Sequence, residues 1–266
     1  MAAAIAIVGA GLSGLTAAHD LQAEHATTVI DRLPAEGGVL GYEHPVIRAL
    51  GRRLRARGVE FLLGTTALRW EPPRLLVAGP RGIEWLAADW LLYAGGARPA
   101  VQAELGILGP RLAGVLPAPV AIHLAEAGVQ LGRRVCIVGE GDWADRSARI
   151  LSAGGSELIS VAARASANDG LAREQWSGWR ATSVNGTGRV SALTVIREGI
   201  ERRIACDCVV LAGDVRPLRN VDGAVTPGSR VAFAQAAADR LTSEDVTRAA
   251  LAATASIRQQ IGSAAS

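Results

Sequence analysis

The feature that most constrains this chain is a glycine turn at residues 9–14. Residues 5–8 read as a short apolar strand. Gly9-Ala10-Gly11-Leu12-Ser13-Gly14 is the turn, residues 15–23 carry apolar side chains at helical spacing, and 27–30 form a β-branched strand that ends at Asp31. This is a β-turn-α-β unit, which closes through a right-handed parallel crossover. Its glycines have separate physical roles. The first permits the tight turn, the second lets a pyrophosphate approach the backbone, and the third lets helix and sheet pack closely. The helix start offers free N–H groups and positive dipole to phosphates. Asp31 follows at about the twenty-residue offset of an acceptor for a ribose 2′-hydroxyl.

The pattern recurs. Residues 134–138 read as a strand, Gly139-Glu140-Gly141-Asp142-Trp143-Ala144 as a turn, the stretch to about Ser152 as a helix, and 158–161 as a strand. Alanine takes the third position, a permitted variant. No acid ends this second strand. Arg164 lies just beyond it, either to meet a 2′-phosphate or as a surface arginine. Glu140 and Asp142 put negative charge beside the phosphate position, which works against a dinucleotide. Short strand-like runs follow each unit, around Leu68, 75–77 and 83–86 in the first copy and over 180–205 in the second. Each copy closes on an apolar strand: 90–93 leads into Ala94-Gly95-Gly96, and 208–211 into Ala212-Gly213.

This repeat predicts an α/β fold of two Rossmann-like nucleotide-binding domains, the second inserted in the first, each with a small antiparallel meander. The expected boundaries are 1–115 plus 214–266 for the first domain and 116–213 for the second. Residues 97–119, rich in Gly and Pro, read as a linker before a helix at 120–127. A strand at 231–234 and a helix at 245–261 complete the first domain.

Composition excludes several classes. All 28 basic residues are arginine and the net charge is only +3. The arginines are scattered or cluster on one helix (Arg52, Arg53, Arg55, Arg57), which reads as a solvated face and not as a nucleic-acid surface. Nothing reads as a targeting signal or a membrane span. Cys136, Cys206 and Cys208 form no CxxC, so neither a dithiol redox centre nor a zinc knuckle is encoded. Free thiols suggest a reducing compartment, and the cytoplasm is expected. His19, His25, His44 and His123 are dispersed, so no catalytic residue and no metal set can be named. His44, shortly after Gly37-Gly38, either caps a helix or approaches a bound ring.

The pattern Ile7-Val8-Gly9-Ala10-Gly11-Leu12-Ser13-Gly14, then Asp31 with Gly37-Gly38, resembles the two-dinucleotide-domain flavoproteins of the pyridine nucleotide-disulfide oxidoreductase superfamily. Leu92-Tyr93-Ala94-Gly95-Gly96-Ala97-Arg98-Pro99 is similar to that family's strand end. Gly188-Arg189-Val190 with Cys206-Asp207-Cys208-Val209-Val210-Leu211-Ala212-Gly213 is similar to its second-domain return. The resemblance implies FAD on the first turn, with Gly9, Ala10, Gly11, Leu12, Ser13, Gly14, Asp31, Arg32, Gly38, Ala94 and Gly95 as its contacts. It implies NAD(P) or another adenine nucleotide at Gly139, Gly141 and Arg164.

Within the superfamily, the stretches 111–115 to 132–135 are similar to the linker of the α-type subunits of heteromeric amine and imino-acid dehydrogenases. These include subunits of opine oxidase, hydrogen cyanide synthase, dye-linked proline dehydrogenase and sarcosine oxidase. That implies a hetero-oligomer in which a partner flavoprotein subunit oxidises a C–N bond, this subunit handles the electrons, and any small iron–sulfur subunit is a separate chain. Departures are Gln235 and Ala236, where the family carries the Gly-Asp that contacts the flavin, the missing CxxC, and a shortened region after Gly38. Three readings follow: an FAD-binding electron-handling subunit, a free-standing NAD(P)H-dependent flavoprotein reductase, and a non-catalytic scaffold subunit.

Overall fold

The computed structural model describes residues 2–164, 170–218, 220–224, 230–234 and 242–264. The chain divides into two compact units, 1–97 with 217–266, and 98–216.

The first unit opens with β1 (Ala4–Val8), α1 (Leu12–Leu21) and β2 (Ala26–Asp31). A 3-10 turn (Gly38–Leu40), α2 (Pro45–Ala56) and β3 (Glu60–Leu63) follow. Strands β4 (Thr66–Glu71), β5 (Arg74–Gly79) and β6 (Gly82–Ala87) make an antiparallel three-stranded meander, and β7 (Trp90–Tyr93) returns to the main sheet. The chain leaves through β8 (Ala97–Pro99).

The second unit holds β9 (Val115–Pro117), α3 (Ala118–Glu126), β10 (Arg134–Val138), α4 (Asp142–Ala153), β11 (Glu157–Ala162) and β12 (Glu174–Ser177). Its meander is β13 (Arg180–Thr187), β14 (Arg189–Arg197) and β15 (Ile200–Ala205), and its return strand is β16 (Cys208–Leu211). The chain comes back through β17 (Val215–Pro217) and ends with β18 (Val231–Phe233) and α5 (Ser243–Ala264).

The main sheets are parallel, in the orders β18-β7-β1-β2-β3 and β12-β11-β10-β16-β9. β1, and β10 after its first residue Arg134, are apolar because both their faces are covered. In β1, Ile5 and Ile7 pack with Leu15, Leu21, Ile47, Leu54 and Ile257 of the helices. Ala6 and Val8 pack with Trp70, Leu75 and Val77 of the meander. β10 repeats the plan. Val135 and Ile137 meet Ala144, Ala148 and Leu151, while Cys136 and Val138 meet Val184, Leu193 and Val195. Each fully buried Val, Leu or Ile among them contributes roughly 2 kcal/mol of apolar transfer.

The unit boundaries differ from 115 and 214. Residues 98–114 do not behave as a linker: Ile107 and Leu112 are buried in the second core. The Leu108 N–H donates to the Thr182 carbonyl at 2.8 Å, and the Val190 N–H to the Ala113 carbonyl at 2.9 Å. Among the described residues no helix is long and apolar enough to cross a membrane.

Candidate functional site

β1 ends between β7 and β2, where the strand order of its sheet reverses. Open α/β sheets bind ligands at this point, beyond the carboxyl ends of the strands. The Gly9 N–H donates to the Ile30 carbonyl at 2.8 Å, and the Ala94 N–H to the Val8 carbonyl at 2.7 Å, so the turn is tied to both neighbouring strands.

The glycines of this turn answer different demands. Gly9 has φ +113°, and a Cβ there would stand 2.7 Å from the Ala94 carbonyl carbon. A Cβ on Gly14 would overlap the Gly9 carbonyl oxygen. Both are required by the fold itself. Gly11 is not. Its φ of −77° and ψ of −176° suit any residue, and the nearest atom to a Cβ there is the Gly38 Cα, at an ordinary contact distance of 3.7 Å.

The other candidates gather around the turn. Asp31 Oδ2 accepts the Ala10 N–H at 2.7 Å and Oδ1 accepts the Leu33 N–H at 2.8 Å. Arg32 is exposed beside it. Leu12 opens α1 and packs against the core. The Ser13 hydroxyl donates to the Ala234 carbonyl at 3.0 Å, fastening the start of α1 to the residue after β18. Ala94 is buried, and a Cβ on Gly95 would stand 2.6 Å from the Tyr93 ring. Gln235 and Ala236, the positions of the family's Gly-Asp, lie outside the described residues.

Gly38 reaches the turn by a route that sequence spacing does not reveal. The Gly37 N–H donates to the Ala10 carbonyl at 2.8 Å. Glu36, just before it, makes a two-pronged ion pair with Arg55 of α2 at 2.8 and 3.0 Å. The Arg55 guanidinium lies 4.2 Å over the Phe61 ring. Bonded in this way, Arg55 holds the Glu36 carboxyl below the usual carboxylate range. His44 sits at the N-cap of α2 without a side-chain cap bond, and its Nδ1 is buried without a partner.

The second turn has the same ties. The Gly139 N–H donates to the Val161 carbonyl at 2.9 Å, and the Ala212 N–H to the Val138 carbonyl at 2.8 Å. Gly139 has φ +120°, and a Cβ there would stand 2.8 Å from the Ala212 carbonyl carbon. Gly141 has φ +91° and ψ −167°, a backbone that itself calls for glycine. Ala144 is buried. By strand register, Ala162 stands where Asp31 does in the first unit. Asp142 and Asp145 lie in the first turn of α4, whereas the first turn of α1 contains no acid.

Arg164 is not held open for a 2′-phosphate. Its Nε and Nη2 bond Glu140 Oε1 at 3.1 and 2.8 Å. The pairing spans the turn and the end of the next strand, so neither residue announces it in sequence.

The cysteines are all buried. A hydrogen bond with Cys206, together with burial, pushes the Cys136 thiol up, and burial pushes Cys208 up to about 12. Cys136 and Cys208 therefore stay protonated, whereas the hydrogen bond with Cys136 draws the Cys206 thiol down.

Residues 4–73, from β1 into the first meander, match the family model described as pyridine nucleotide-disulphide oxidoreductase. No curated protein sequence matches the chain. Solved structures share its fold. L-Proline dehydrogenase from P. horikoshii is 18% identical with a TM-score of 0.67, over 98% of this chain and 56% of that one. Thioredoxin reductase of Lactococcus lactis, in its FR conformation, is 14% identical with a TM-score of 0.72, over 98% and 99%. The water-forming NADH oxidase of Lactobacillus brevis, bound to NADH, is 16% identical with a TM-score of 0.66, over 96% and 69%. The chain therefore spans little more than half the length of the proline dehydrogenase chain. Its architecture is that of the pyridine nucleotide-disulfide oxidoreductases: Rossmann-like parallel sheets with antiparallel meanders.

Proposed function

We propose that this chain is an FAD-binding subunit of a heteromeric oxidoreductase acting on C–N bonds, in which it handles electrons from a partner flavoprotein. The observation that carries the reading is Gly11. It is a glycine whose conformation and surroundings do not need one, at the point where a pyrophosphate would come closest to the backbone. A side chain there would fill the approach and nothing else.

The neighbouring groups fit the same ligand. The free N–H groups of the first turn of α1 face the turn with no acid among them, so the positive end of the helix is left for phosphate. A carboxylate offers about four lone-pair positions. Asp31 accepts one backbone N–H on each oxygen, so it keeps acceptor capacity for ribose hydroxyls. Gly37 and Gly38, pinned by Glu36 and Arg55, hold the second wall of the cradle beside Gly11. When bound, FAD would supply the redox chemistry, and the chain would orient it.

The C–N substrate class rests on the likeness to L-proline dehydrogenase along nearly the whole chain and on the similarity of residues 111–135 to α-type subunits. The partner flavoprotein and a small iron–sulfur chain belong to the same proposal.

The test is the visible spectrum of the native material, with released cofactor quantified and co-purifying chains identified. Flavin bands at about one FAD per chain beside a second flavoprotein are expected. A colourless chain in the presence of its partner would overturn the reading, and a non-catalytic subunit would take its place.

A further inference from the structure

We infer that the second unit has given up dinucleotide uptake, with Glu140 and Asp142 as the residues that bar it, so that this unit takes no electrons from NADH or NADPH. The inference does not depend on what the first unit binds.

A dinucleotide would need an open backbone approach at the second glycine, an unanswered helix dipole, an acceptor for the ribose, and, for a 2′-phosphate, a cation to receive it. The second unit departs from the first at each of these points. Gly141 is accounted for by its own left-handed backbone, so no glycine of this turn is left unexplained by the fold. Its φ of +91°, against −77° at Gly11 with similar ψ, also turns over the peptide between Glu140 and Gly141 relative to that between Ala10 and Gly11. The positive end of α4 is answered from within the chain, by Asp142 and Asp145. Ala162, an apolar side chain, stands at the ribose-acceptor position. Arg164 is engaged with Glu140, so a 2′-phosphate would have to displace a carboxylate of the turn itself. A pyrophosphate entering here would meet Glu140 and Asp142 at the place where the first turn presents Ala10 and Leu12.

The experiment is calorimetric titration of the full chain, with any co-purifying partner, using NADH and NADPH as probes. It is run in a Gly11→Val background so that the first turn takes no part, and each variant is checked for an unaltered thermal melt. No saturable binding is expected up to millimolar probe. Glu140→Gln combined with Asp142→Asn removes the like charge and the Glu140 ion pair of Arg164, and is expected to raise NADPH affinity at least about tenfold. Micromolar binding with the second turn intact would overturn the inference. So would a folded double variant that binds no better than its parent, because charge would then not be the barrier.

Discussion

At the first turn Gly9 bonds Ile30 and Ala94 bonds Val8; at the second, Gly139 bonds Val161 and Ala212 bonds Val138. The two turns share a backbone plan and differ in what surrounds it. Around the first, neutral residues precede the helix and a carboxylate stands at the end of the neighbouring strand. Around the second, the carboxylates have moved onto the turn and the strand end is bare. The pair teaches that the βαβ plan fixes where a ligand can be held but not whether one is. That depends on a few side chains whose replacement leaves the sheet intact.

The sharpest way to break the comparison is the third position. Gly14→Ala is expected to cost about 2–3 kcal/mol, because its Cβ overlaps the Gly9 carbonyl. The mirror change Ala144→Gly should cost only about 1 kcal/mol, from helix propensity. Denaturant melts of both variants decide this, and equal losses would mean that the two helices sit on their turns alike.

Next come the second glycines. Gly11→Ala should leave stability unchanged or raise it by about 0.5 kcal/mol, while flavin retention falls at least tenfold on dilution. Gly141→Ala should lose about 1–2 kcal/mol from left-handed strain. If Gly11→Ala keeps its full flavin content, that glycine is not a ligand approach.

Asp31→Asn retains an acceptor for the Ala10 N–H but forfeits the charge and the acceptor for the Leu33 N–H, so a loss of about 1–2 kcal/mol is expected, with a larger weakening of flavin binding. Ala162→Asp in the second unit should not restore nucleotide binding while Glu140 remains; calorimetry with NADH is the check.

The smallest effect is pH dependence through Glu36. Its folded pKa lies below the ordinary value of 4.5, so its stabilisation is fully present above that pH and is lost as pH falls through the folded value. With Arg55 partly exposed, screening keeps the contribution under about 1 kcal/mol. Comparing acid melts of the parent and Glu36→Gln isolates it, since the variant should show a shallower decline below pH 4.5.

Much of this organisation is legible in the sequence. The turns, the β-branched strands and both meanders follow from apolar period and glycine placement, and Gly9, Gly14 and Gly139 are where close packing requires them. Three-residue strands such as β9 and β17 were beyond reading because they carry no periodicity, and β12 is an edge strand of mixed composition. Residues 98–114 look like a linker because Gly and Pro interrupt them repeatedly, yet two apolar anchors, Ile107 and Leu112, decide their allegiance. The state of Arg164 was equally hidden, since it turns on an ion pair across 24 residues of chain that no local spacing encodes.

The discontinuity of the first unit bears on how the chain is made. Its edge strand β18 and covering helix α5 come after the whole second unit, and α5 is held to α1 and the turn after it by Arg258 with Asp20 and Glu24, and by Thr254 with Asp20. At roughly 5–20 residues per second, synthesis leaves the outer edge of β7 unpaired and the α5-facing side of α1 bare for roughly ten to several tens of seconds. During that interval the nascent chain presents a parallel sheet edge and an apolar helix face together, the combination that chaperones bind and neighbouring chains aggregate upon.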